Sequence, residues 1–149
     1  MTERSPVDLG ALPDVDVTMV LADAAQVADG RLYVLGAGIT AVGPQPQPLA
    51  VGLLLQVPWD RANVAHRWVL ELLDEDGRPA PNAAQPLVIG GRFEAGRPAG
   101  SRAGVPLVVP LAVTFPPLPL EPGGGYLFQL TIDGRSRAAW RLAFWVRPA

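Results

Sequence analysis

The chain has no cysteine, no lysine and a single histidine, His66. Without thiols there are no disulfides, no thiolate nucleophile and none of the common structural zinc sites, and one imidazole rules out a multi-histidine metal centre. The missing lysine leaves twelve arginines as the whole basic complement. Drift in a GC-rich genome, which also enriches Ala, Gly and Pro, leaves this trace, and so does selection against lysine-directed modification. Charge is scarce as well, at 17% of residues with a formal net of −2. The arginines are scattered among fourteen acids rather than gathered into a stripe, so nucleic acid is not an expected partner. Long apolar runs are also absent: none approaches the ~20 residues of a membrane span. The opening "MTERSPVDLGALPDVDV" carries acids and prolines where a signal peptide needs a basic start and an apolar core. No membrane association and a cytoplasmic location are expected.

What is present is an ordinary single-domain length of 149 residues, about half of them hydrophobic, with 16 glycines and 17 prolines spread along the whole chain. Breakers at such regular spacing imply many short elements, and short elements favour strands. Residues 1–14 lack periodicity and read as a flexible lead-in, leaving 15–149 as one folded domain. From Val15 the writing has period two: Val15, Val17, Met19 and Leu21 form one face, as in a half-buried strand. Asp29-Gly30, a strong hairpin signal, turns the chain into "RLYVLGAGITAV", which "GPQPQP" ends. "LAVGLLLQVPW" follows, and then an alternation on Trp68, Leu70 and Leu72 that closes at Asp76-Gly77. "PLVIGGRFEAG" reads as a weaker strand with a bulge or bend at Gly90-Gly91. Pro110 places the alternating 107–115 stretch at a sheet edge or a bulge. Finally Tyr126, Phe128, Leu130 and Ile132 alternate up to Asp133-Gly134, and Trp140, Leu142, Phe144 and Val146 return along the same face. The expectation is an all-β antiparallel sandwich of about eight strands with an N-terminal hairpin.

"LEPGGGYLFQLTIDG" is similar to the E–F corner and F strand of immunoglobulin-like sandwiches. That resemblance implies a tyrosine corner, with the Tyr126 hydroxyl bonded to backbone near Leu120 or Glu121, and Trp68 as the core tryptophan of strand C. The inter-sheet disulfide of antibody domains is missing. "VTMVLADAAQVADGRLYVLGAG" followed by "LAVGLLLQVPWDRANVAHRWVLELLDEDGRP" resembles an uncharacterised family of small bacterial proteins that share an "ADAAQVADGKLYILGGG"-type opening and a "PWDEAN" motif. That family carries no assigned activity, so the resemblance implies one domain and no function.

Four stretches carry candidate chemistry. Gly36, Gly38 and Ala41 match the spacing of a dinucleotide fingerprint, but that mechanism needs a helix to start among the glycines, and Pro44, Pro46 and Pro48 deny it one. The pair is therefore expected in extended strand backbone with a large neighbour packed over it. "PWDRANVAHRW" gathers Trp59, Asp60 and His66 as a candidate small-ligand or carbohydrate site. Its alternative is a turn held by Asp60 and Asn63, with the histidine a surface or capping residue. "DEDG" offers carboxylates but neither the further ligands nor the distal glutamate of a calcium loop, and reads as an acidic turn. If Trp140, Leu142, Phe144 and Val146 face inward, Trp145 faces outward between Arg141 and Arg147, the composition of an interface hot spot. No catalytic constellation or cofactor is expected. The leading expectation is a non-enzymatic module that associates with a protein partner or with itself; the alternative is a ligand-binding module around Trp59–Trp68.

Overall fold

Strict alternation becomes strand wherever a partner lies within reach of the turns. The computed structural model describes residues 15–82 and 85–149, and the lead-in expected over 1–14 lies outside them. Its strands are β1 (Asp16–Ala22), β2 (Ala24–Ala28), β3 (Arg31–Leu35), β4 (Ala41–Val42), β5 (Leu49–Val57), β6 (Ala65–Asp74), β7 (Pro81–Asn82), β8 (Gln85–Pro86), β9 (Val88–Glu94), β10 (Leu107–Phe115), β11 (Gly125–Ile132) and β12 (Arg141–Val146). Short 3₁₀ turns cover Trp59–Arg61 and Ala138–Trp140. Among the described residues no helix is long and apolar enough to cross a membrane.

Two sheets face each other. One runs β9–β6–β11–β12–β4 and the other β10–β5–β1, eight strands in all; only the two-residue β4 pairs in parallel, with β12. In the immunoglobulin-like scheme β6, β11 and β12 take the places of C, F and G, opposite β5 and β10 as B and E. Leu49, Val51, Leu53, Leu55 and Val57 of β5 meet Leu70, Leu72, Phe128, Leu130 and Ile132 in the core between them. Phe115, Phe128, Phe144 and Tyr126 stack in a chain through it at 5.0, 5.7 and 5.8 Å between centroids. The Tyr126 hydroxyl accepts the N–H of Glu121 at 2.8 Å, the expected tyrosine corner, and Trp68 is buried. Pro110 sits in β10 at a sheet edge, the place in a sheet where a residue without an N–H is tolerated.

Three local expectations are corrected. The N-terminal hairpin is β2–β3, paired from Ala24↔Leu35 to Ala28↔Arg31, and does not include the strand from Val15. Its turn is the expected one, with Asp29 and Gly30 both at positive φ. Because β3 has only five residues, it can pair only the five before the turn, and β1 turns instead to β5. Gly36 and Gly38 are not extended: φ is 71° and 96°, a backbone that disfavours side chains. They end β3 and bring the N–H groups of Gly38 and Ile39 onto the Leu21 carbonyl. Gly90 and Gly91 make no bulge either, since the β9–β6 register is continuous. A Cβ at Gly91 would stand 3.0 Å from the Trp68 indole nitrogen, so that glycine makes room for the core tryptophan.

The hairpin is a third layer, packed on the outer face of the three-stranded sheet against β5 and β10. Gly52 of β5 lies beneath it. A Cβ there would come within 3.0 Å of Val34 and 3.1 Å of Leu32.

Candidate functional site

Asp16, Thr18 and Val20 of β1 stand opposite Gln56, Leu54 and Gly52 of β5, all on the face turned away from the core. The hairpin covers only the Gly52 end of this face. Its sheet-facing residues Val27 and Val34 are 43% and 40% exposed, so the ribbon overhangs rather than seats fully. Beneath it opens an apolar hollow of about 500 Å³ among Val20, Leu32, Val34, Leu54 and Val108, with Arg31 at the hairpin end. On the same face the Asp16–Gln56 pair lines a second hollow of about 440 Å³ with Pro58, Trp59 and Asp60. The Asp16–Gln56 and Thr18–Leu54 pairs are successive pairs on this face of one ladder, with the core-facing Val17–Leu55 rung between them, so the hollows adjoin as a trough, apolar under the hairpin and acidic at its open end.

The 3₁₀ turn that presents Trp59 and Asp60 is closed by the backbone bonds Arg61 N–H to Pro58 and Ala62 N–H to Trp59, not by the expected Asp60 side chain. Asn63 contributes its tolerance of positive φ, at 62°. Arg97 lies over the Trp59 ring at 4.2 Å and donates to the Trp59 carbonyl from Nη2 at 2.7 Å, so one face of the indole is already occupied.

His66 does not join Trp59 and Asp60, nor is it a surface residue. It follows the inward phase of β6, like Trp68 and Leu70, and is buried. Its ring stacks on Phe93 at 5.0 Å. Since a carboxylate only accepts, Nδ1–H donates to Asp133 Oδ2 at 2.7 Å, which leaves Nε2 buried without a partner among the described residues. Asp133 Oδ1 accepts the N–H of Arg67. Partial burial alone would raise the Asp133 pKa, but the Arg67 N–H, the His66 hydrogen bond and the attraction of the His66 ring together hold it below the ordinary carboxylate value. The pair ties the β11–β12 turn to β6 and faces neither hollow.

Trp145 projects outward as expected and is 46% exposed, with Arg141, Ala143 and Arg147 exposed on the same face. Its strand is not the sheet edge, because Ala41 of β4 pairs beside Trp145. Glu75 lies over the neighbouring Gly125, and Arg141 stands in line with Gln129 and Glu71 across the sheet. The acidic turn holds as read: Asp74 Oδ1 accepts the N–H groups of Asp76 and Arg78. Among the described residues no group of three or more His, Asp or Glu is placed to hold a metal ion.

The apolar half of the trough was missed from sequence, yet a signal for it exists. "LAVGLLLQV" is apolar on both phases, which marks a strand covered on both faces, and a lone glycine inside it marks a close approach. No curated protein matches the sequence. A model of one family of unknown function matches residues 17–144, nearly the whole described sandwich together with its hairpin. The chain belongs to that family, DUF6941.

Proposed function

We propose that the protein is a non-enzymatic sandwich module that works through protein–protein association, and that the half-covered trough, alongside the Trp145 face, is where it docks. One observation carries the reading: a second apolar surface, outside the core, is left open beneath a hairpin whose own sheet-facing valines stay solvated. Val108, 53% exposed, lines it, and contiguous apolar area of this kind marks interaction sites. The sole histidine supports a non-catalytic reading, since it is committed to Asp133 inside the fold. The cytoplasm remains the expected setting.

The test is capture from the native host with wild type and Val108→Asp as parallel baits. Val108 is 53% exposed, so the charge alters the surface and spares the fold. Proteins retained by wild type and lost with the variant support the reading, and a retained set indifferent to the substitution removes it. A second reading, a small-ligand or carbohydrate module, has the Trp59–Asp60 hollow behind it, without His66. A thermal-shift screen whose hits vanish in Trp59→Ala would favour that reading.

A further inference from the structure

Building on the association reading, we propose that the occupant of the trough is the Trp145 face of a second copy of this chain, joined head to tail. The two surfaces are complementary in shape and in charge. One is concave and apolar with Asp16 and Asp60 at its open end; the other projects an exposed indole flanked by Arg141 and Arg147. Both are solvated among the described residues. Arg31 lines the hollow at the hairpin turn and Arg97 is held on the Trp59 ring and carbonyl; among the described residues neither pairs with Asp16 or Asp60, which stand open to arriving guanidinium groups. On the projecting face Glu75 and Glu71 are the nearby acids, and Arg147, at the free end of the row, is the cation furthest from Glu71. Arg and Trp are the types that dominate interface energetics, and an Arg–carboxylate pair has the fork geometry to set the register.

The two surfaces lie on the outer faces of opposite sheets. A contact between them therefore uses different patches on the two copies, and each copy that joins leaves one patch of each kind unused. This gives a test that a symmetric dimer cannot pass. Trp145→Ala has a dead knob and a live trough; Asp16→Arg/Asp60→Arg has the reverse. All three side chains are exposed, so neither variant threatens the core.

In sedimentation equilibrium on the full chain, wild type should exceed 15.7 kDa and grow with concentration. Each variant alone should stay at that mass, with self-association weakened at least about tenfold. An equimolar mixture should form a 1:1 dimer and nothing larger, since a single competent interface remains. A wild type that stays monomeric up to its solubility limit overturns the proposal, as does a mixture that fails to dimerise or a variant that still dimerises alone. The capture experiment with Val108→Asp decides the broader reading separately, because a strict monomer can still retain a different protein through the same trough.

Discussion

At the residue scale the clearest case is His66, which looks exposed in the sequence and is buried in the fold. "VAHRWVLEL" puts it in phase with Trp68 and Leu70, and the phase decides: the core accepts an imidazole where Asp133 can reach one nitrogen. The cost is the unpartnered Nε2, because a buried polar nitrogen without a partner forfeits its hydration. The pair is therefore asymmetric. Asp133→Asn keeps a residue that tolerates the positive φ of the turn but removes the charge that His66 and the Arg67 N–H face. It should cost about 1 kcal/mol, below the range for buried charge-assisted bonds because Asp133 is 45% exposed. His66→Leu should cost less in the Asn background than in wild type, and a double-mutant cycle on urea midpoints measures that coupling. The pH dependence follows from the lowered Asp133 pKa. Its contribution is complete above the unfolded value of about 3.9 and is lost as pH falls through the lower folded value. Wild type and Asp133→Asn should accordingly converge in stability at the acid end and separate above it; a constant difference across the range would refute the assignment.

Elements were legible where local chemistry alone decides and obscure where partner choice does. Asp29-Gly30 and Asp133-Gly134 take the paired positive φ that hairpin turns need, and the tyrosine corner forms where its residues stand. The pairing of β1 through β3 depends instead on how far each strand runs before its partner ends. Gly36 stops β3 after five residues, a length that period-two alternation does not encode. Gly52 was the overlooked punctuation: it is what lets the hairpin lie on β5. Gly52→Val should push Leu32 and Val34 outward at a cost of about 1–3 kcal/mol from overpacking. The effect should concentrate in the ribbon, which is the layer free to move. Hydrogen exchange checks this directly, with β2 and β3 amides exchanging faster while those of β6 and β11 slow-exchange as before. Equal acceleration in all four strands would mean that Gly52 serves the sandwich and not the hairpin.

For the whole molecule, burial by itself accounts for the core and leaves two surfaces over, one on each outer face of the sandwich. The two-layer plan was readable because alternating strands need an opposing sheet. The third layer was not, because a ribbon apolar on both of its faces, "AAQVA" and "RLYVL", gives no sign of which face it seats or of what it leaves open. Placed on opposite faces, the knob and the trough cannot satisfy each other within a pair, so association through them is open-ended unless the rotation between copies closes a ring. The mass distribution should then rise steadily with concentration, or stop at a ring of fixed number, and should not plateau at two. Salt gives a second handle. The contact combines an apolar seat, which salt leaves largely intact, with Arg–carboxylate pairs at a solvent-accessible rim, which are screened once the Debye length shrinks from about 10 Å at 0.1 M to about 3 Å at 1 M. Light scattering across that range should show assembly weakened but not abolished, with the slope lost in Asp16→Asn/Asp60→Asn, which keeps the apolar seat and has no charge at the rim to screen. Assembly that strengthened with salt would mean the carboxylates oppose the contact and the apolar seat alone holds it.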